Sequence, residues 1–249
     1  PQGEINTGLR AQRSVHLVSG TDYDFRAWGR PFRLVAELYY KFLSDLVPYE
    51  IDNVRIRYDA RNHARGYATG LDMRVNGEFV RGIESWASLS VMETREDLLD
   101  DYYYDAGGQR VEPGYIPRPT DQRVNFGLFF QDYLPRNPTY KMHLNLLFGS
   151  SLPFGAPGAP RYQHTLRIPP YRRVDIGFSK QLKEEGVTVG EQNPLRHFND
   201  VWITLEVFNL LQVNNTISYI WVADITNRLY AIPNYLTPRM LNLKLVARF

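Results

Sequence analysis

The sequence predicts an all-β fold, an antiparallel meander of long strands. Three observations predict it: side chains alternate in polarity with a period of two in segment after segment, aromatic residues are abundant, and the connections between segments alternate in length. A period of two marks extended backbone, because successive side chains point to opposite faces. Aromatics make up 14% of the chain, with 17 Tyr and 13 Phe, and such rings favour pleated backbone over helix.

Taken in order, Ala11 to Ser19 gives a weak first strand. Phe32 to Phe42 then sets Phe32, Leu34, Ala36, Leu38, Tyr40 and Phe42 against Arg33, Glu37 and Lys41. Tyr67 to Asn76 sets Tyr67, Thr69, Leu71, Met73 and Val75 against Gly70, Asp72, Arg74 and Asn76. A weaker stretch runs from Ile83 to Glu93. Val124 to Asp132 alternates Val124, Phe126, Leu128 and Phe130 with Arg123, Asn125, Gly127 and Gln131. Tyr140 to Gly149 does so with Tyr140, Met142, Leu144, Leu146 and Phe148 against Lys141, His143 and Asn145. Arg172 to Leu182 places Val174, Ile176, Phe178 and Leu182 opposite Arg173, Asp175, Ser179 and Gln181, with Arg172 as a charged exception at one end. Val201 to Leu211 is weak, and the last strand puts Leu241, Leu243, Leu245, Ala247 and Phe249 against Asn242, Lys244 and Arg248.

These make about nine strands, most of them near the ~9–11 residues that a tilted strand needs to cross a bilayer. Trp28, Tyr39, Tyr40, Trp86, Tyr133, Tyr140, Tyr171 and Trp202 fall near the expected strand ends, where amphipathic rings suit headgroup depth. Long connections are read for Ser44 to Arg65, Thr94 to Thr120, Ser150 to Pro169 and Gln212 to Thr237. Between them come the shorter ones, Gly20 to Pro31, Asn76 to Gly82, Pro135 to Thr139 and the intermediate Lys183 to Phe198. Short turns at one end and long loops at the other are the mark of a meander threaded through a membrane. In lipid the backbone finds partners only in neighbouring strands, so the expected fold is a transmembrane antiparallel β-barrel with its apolar parity toward hydrocarbon.

Composition narrows the function. A net charge of +2 lacks the basic footprint of a nucleic-acid binder. With no cysteine, the chain has neither a disulfide scaffold nor a Cys-based zinc site. No apolar run approaches the ~18 residues of a membrane-spanning helix.

Leu205 to Phe249 resembles the C-terminal end of TonB-dependent outer-membrane receptors, particularly the subgroup related to starch-utilisation transporters. The matching pieces are "EVFNLL", the "VNN" and "SY" of the last long loop, and a final strand closing on an aromatic carboxyl end. "AELYYKFLSDLVPY" (Ala36 to Tyr49) and "GYATGLDMRVNGE" (Gly66 to Glu78) are also similar to receptor-barrel strands. The resemblance implies a plugged barrel of about 22 strands. Residues 1–249 are then expected to be its C-terminal part, with the plug domain and the N-terminal strands lying outside this sequence. It further implies nutrient transport across a Gram-negative outer membrane. The implied partners are outer-membrane lipid, the remaining strands and plug, TonB through that plug, the barrel-assembly machinery and a surface lipoprotein. Leu241, Leu243, Leu245 and Phe249 would carry the barrel-assembly signal. A passive porin and a soluble carbohydrate-binding β-sandwich are the other readings.

No catalytic arrangement is read from the sequence, and no enzyme activity, cofactor or metal site is expected. The five histidines, His16, His63, His143, His164 and His197, lack metal-ligand spacing, and no G-x-S-x-G elbow occurs. Ligand contact is expected in the loop "REDLLDDYYYD". There Asp100 and Asp101 offer oxygens and Tyr102, Tyr103 and Tyr104 offer rings that stack on sugars or grip peptides. With Asp97 and Asp105 these acids form an Asp-rich run open to Ca²⁺, although their order does not match an EF-hand loop. Tyr219, Trp221 and Arg228 of the last long loop complete the candidate set.

Overall fold

The structure, a computed structural model, describes residues 6–134, 137–187, 189–190, 192–236 and 238–249. Nine strands form one continuous antiparallel sheet in chain order: β1 (Arg13–Ala27), β2 (Arg30–Leu46), β3 (Ala64–Val80), β4 (Ile83–Leu98), β5 (Val124–Leu134), β6 (Asn137–Gly149), β7 (Tyr171–Lys183), β8 (Asp200–Phe208) and β9 (Met240–Arg248). The short segment Tyr115–Pro117 adds to the loop end of β4. Among the described residues the only helical turns are 3₁₀, at Arg161–Gln163 and Pro194–His197. A β-sandwich needs a second sheet packed face to face. The other sheets here are two-stranded hairpins inside the long loops, so the sandwich reading is set aside.

The registers carry the sequence parity across the wall. Leu144 of β6 stands beside Ile176 of β7, then Val207 of β8 and Leu241 of β9. Met142, Phe178, Leu205 and Leu243 form the next apolar row. On the other face Asn76, Trp86, Phe129, Asn145 and Asp175 make a polar and aromatic row. From β2 to β8 each strand is paired on both sides, while the apolar face is left open: Leu241 is 75% exposed and Leu243 68%. Such a wall needs hydrocarbon outside it and supports a polar lumen.

Several expectations are corrected. The first strand does not end at Ser19 but runs to Ala27, because Ser19, Gly20, Thr21 and Asp22 stay in register with β2 despite their polarity. The modest Gly20 to Pro31 connection shrinks to the turn Trp28–Gly29, with φ of 53° and 73°, the left-handed pair that suits a two-residue hairpin. Strands β1 to β4 are longer than a bilayer crossing requires, at 15 to 17 residues. The turn between β5 and β6, read as Pro135 to Thr139, includes Pro135 and Arg136, which lie outside the described residues. Thr188, Glu191 and Thr237 of the other connections also lie outside them.

Of the aromatics read as interface anchors, only Tyr40 and Tyr140 lie on the strand face that meets lipid, and Trp28 is in a turn. Tyr39, Trp86, Tyr133, Tyr171 and Trp202 share the lumen parity. Their lumen neighbours explain it. Arg74 lies 4.9 Å over Trp86 and Lys141 lies 4.3 Å over Trp202. Tyr39 rests on Gly70, where a Cβ would come within 2.6 Å of the Tyr39 hydroxyl. Lys180 is a second charged exception on the lipid parity of β7, beside Tyr140. With Arg172 it brackets Ile176 at four residues on either side. Eight residues at ~3.3 Å each give about 26 Å along the strand, and tilt reduces that to a height inside the ~25 Å apolar band.

Candidate functional site

The long loops gather at one end of the wall and are joined by buried carboxylates. Glu96, at the end of β4, has no exposed surface. It accepts 2.9 Å from Arg161 Nη2, in the loop between β6 and β7, and 3.3 Å from Arg118 Nε, in the loop between β4 and β5. Arg161 also donates to the carbonyls of Pro117, at 3.3 Å, and Tyr49. One side chain therefore ties together three loops. Asp121, equally buried, accepts from the Thr94 backbone N–H at 3.0 Å, from Arg123 Nε at 2.9 Å and from Arg167 Nη2 at 3.1 Å. Carboxylates so enclosed are tolerated because each one is paired and hydrogen-bonded.

The last long loop joins through the hairpin Thr216–Ala223 and Leu229–Tyr235. Ser218 Oγ donates to Asn53 Oδ1 at 2.7 Å. Tyr219 stacks on Phe154 at 4.5 Å, with Trp221 6.3 Å from the same ring. Between these loops lies a crevice of about 90 Å³ lined by Asp52, Arg57, Phe154, His164, Tyr219 and Trp221, among others. Burial, and then the Arg161 charge, push the His164 imidazole below its usual pKa. Its Nε2 lies 3.1 Å from the Ala159 carbonyl, so the neutral ring carries its proton there and leaves Nδ1 as an acceptor. Below the loops a larger cavity of about 660 Å³ opens onto the lumen face. Wall residues Glu37, Asp72, Arg74, Trp86 and Asn125 line it, and Leu152, Ile168, Ile217 and Leu236 roof it.

The residues singled out from sequence divide. Tyr219 and Trp221 line the crevice. Arg228 does not: it sits at the exposed tip of its hairpin, where Asp224 accepts from the Thr226 hydroxyl at 2.7 Å and the Arg228 N–H at 2.9 Å. The Thr226 hydroxyl bond, followed by the Arg228 amide, holds the Asp224 carboxyl below its usual range. Tyr102 lies under Arg110 at 4.3 Å and edge-on to Tyr104, while Tyr103 stacks on Tyr162 at 5.0 Å. Tyr103 thus meets the loop between β6 and β7, Tyr102 and Tyr104 stay against Arg110 and each other in their own loop, and none of the three lines the crevice. Among the described residues no group of three or more His, Asp or Glu is placed to hold a metal. Of the Asp-rich run, Asp97 pairs with Arg65 at 2.8 Å and Asp105 caps its own turn on Gly107 and Gln109. Asp100 takes a left-handed φ of 71°, and burial raises the Asp101 carboxyl above its usual pKa. Leu241, Leu243 and Leu245 project from the apolar face of β9, and the Phe249 ring lies 4.9 Å from Phe198 at the short-turn end.

Sequence reasoning missed Glu96, Arg118, Asp121, Arg161 and Arg167. Arg161 and Arg167 fall in the proline-rich "SSLPFGAPGAPRYQHTLRIPP", which reads only as a stiffened loop, and no local pattern pairs them with acids far back in the chain.

The fold is that of an outer-membrane receptor barrel wall. The ferric-catecholate import receptor Fiu from K12 E. coli, in its closed form, matches with a TM-score of 0.61 at 14% sequence identity. The match covers 96% of this chain and 28% of that one, so the chain spans little more than a quarter of the receptor's length. No protein-family model and no curated protein sequence matches.

Proposed function

We propose that this chain forms the C-terminal wall and extracellular loops of a TonB-dependent outer-membrane transporter. The observation that carries the reading is the single meander with its apolar parity outward and its long loops at one end, which follows the Fiu barrel over 96% of the chain. In that reading the long-loop end faces outside, the lumen cavity lies on the path of the cargo, and the energy-coupled step belongs to a plug that contacts TonB. The cargo class is a glycan, a peptide or a metal chelate. The starch-utilisation subgroup, and a surface lipoprotein as partner, rest on the C-terminal sequence resemblance. Leu241, Leu243, Leu245 and Phe249 serve recognition by the barrel-assembly machinery. Transport, with no catalytic step, is the whole of the proposed activity. The passive-porin reading is less well supported, because the loops are tied over the lumen by buried ion pairs.

Two measurements on the full-length protein test this. Spin labels at Ile176 and Leu243 in bilayers should report oxygen-rich, water-poor surroundings, and bulk-solvent values at both would sink the membrane assignment. Uptake by intact cells should stop when TonB is deleted. Uptake unchanged in that strain would leave the porin reading.

A further inference from the structure

The loop between β6 and β7, residues 150–170, crosses the lumen cavity as a strap. Its two limbs pair with each other, Pro153 with Arg167 and Phe154 with Leu166, and the Ile168 N–H donates to the Leu152 carbonyl at 2.9 Å. Leu152 and Ile168, one from each limb, form part of the roof of the 660 Å³ cavity. Two arginines fasten the strap to the neighbouring loops, Arg161 on Glu96 and Arg167 on Asp121. Lifting the strap removes that part of the roof.

His164 sits between the fastenings. The 3₁₀ turn Arg161–Gln163 ends on it, and its backbone N–H donates to the Arg161 carbonyl at 3.0 Å. Side chains three residues apart eclipse in such a turn, which sets the imidazole on the side of the Arg161 side chain. The ring also lies against Gly155 of the other limb, where a Cβ would come within 2.1 Å of its Cδ2. It therefore touches both limbs. The charged groups around it are Arg161 on its own turn and Glu50, Asp52 and Arg57 on the hairpin Tyr49–Asp52 and Arg55–Tyr58, all lining the same crevice. Glu96 and Arg118 stand behind Arg161, and the last long loop brings the uncharged Tyr219 and Trp221. Burial, and after it the Arg161 charge, hold the ring neutral against the opposing pull of Glu50. A proton added at Nδ1 turns that nitrogen from acceptor to donor and sets a second positive charge beside the guanidinium that ties three loops. Opening relieves both by giving the ring to water.

We propose that the strap is a lid over the lumen cavity, released when His164 takes up a proton, on the reading in which the long-loop end faces outside. Closure is then complete above the ordinary histidine pKa of about 6.5 and weakens as pH falls below it. The full-length protein in nanodiscs, spin-labelled through Asn125→Cys on the cavity wall, tests this by collision with a water-soluble nickel chelate. Collision should rise from about pH 7.5 to 5.5. His164→Phe, which keeps a ring without a titrating nitrogen, should hold it at the low value throughout. A label at the fully exposed Ile225 should collide equally at both pH values, and one at Ile176 reports the membrane reading separately. Wild-type collision at position 125 that does not change with pH overturns the proposal, whether or not His164→Phe folds. A pH response that persists in folded His164→Phe also overturns it, since another group would then be the trigger.

Discussion

Replacing Arg161 with alanine should release the loops and spare the wall. Arg161 is 7% exposed and is one of two cations on Glu96, which has no exposed surface at all. Removing one partner of a buried pair costs roughly 3–5 kcal/mol, because the other charge stays in low dielectric. Arg118 remains on Glu96 at 3.3 Å, which puts the loss near the lower figure. The carbonyls of Tyr49 and Pro117 lose a donor as well. About 3 kcal/mol corresponds to on the order of a hundredfold in an opening equilibrium. Hydrogen exchange on the full-length protein in nanodiscs would read it as faster exchange at Tyr49–Tyr58 and at Tyr115 and Ile116. The ladder amides of β5, β6 and β7 should be unchanged, because their partners are backbone groups in neighbouring strands. Unchanged exchange in those loops would refute the reasoning, and so would equal acceleration in loops and wall.

Ile176→Arg places a charge midway between Arg172 and Lys180 on the lipid face and should cost about 2–4 kcal/mol in urea titrations of the protein refolded into vesicles. Asn145→Arg, on the lumen face, should cost far less. Gly66→Ala should destabilise by about 1–3 kcal/mol, because the new Cβ would meet the Arg95 carbonyl, a backbone atom that cannot swing away; that carbonyl lies 2.5 Å from the Cβ position. The melting temperature in detergent reads this change. The lowered pKa of His164 means that the opened loop takes up a proton before the closed one does. The stabilisation it allows is therefore complete above the ordinary histidine pKa of about 6.5 and is lost as pH falls below it. Exchange in residues 152–168, corrected for intrinsic rates, should quicken from pH 7.5 to 5.5 in wild type, and His164→Gln should flatten that difference.

The wall was legible because its cause is local. Once the backbone is extended, Phe32, Leu34, Ala36 and Leu38 must share a face, whatever lies elsewhere in the chain. Reading failed where a strand is held by its neighbour and not by its own pattern. Gly20, Thr21 and Asp22 carry no apolar alternation, yet they pair with Glu37, Ala36 and Val35. It also misplaced Trp86 and Trp202, whose apolar character points to lipid while their cationic partners Arg74 and Lys141 lie on the lumen side. The loop clamp was out of reach altogether. Arg161 reaches Glu96 across 65 residues and Tyr49 across 112, and charge pairing leaves no periodic trace. Tyr219 and Trp221 could be singled out by residue type alone. The same criterion also selected Tyr102, Tyr103 and Tyr104, which lie outside the crevice, with Tyr103 stacked on Tyr162 of another loop.

The two halves of the molecule cohere by different physics, and this bears on how the loops can open. The wall has almost no internal apolar core, and four of its few buried apolar side chains, Leu46, Val47, Ala64 and Ile116, lie at the roots of the loops. Above them, Glu96 and Asp121 hold the loops through arginines. A buried carboxylate is stabilising only while its partners stay, so the loop assembly should give way as a unit. A cycle over Glu96→Gln and Arg161→Met tests this. Arg161→Met alone strands a charge, whereas the double variant leaves neutral groups of similar volume and should be less destabilised than Arg161→Met, with a coupling of about 0.5–3 kcal/mol. Strict additivity in loop exchange would mean that Glu96 is hydrated in the closed state, and the clamp would then be an ordinary surface ion pair.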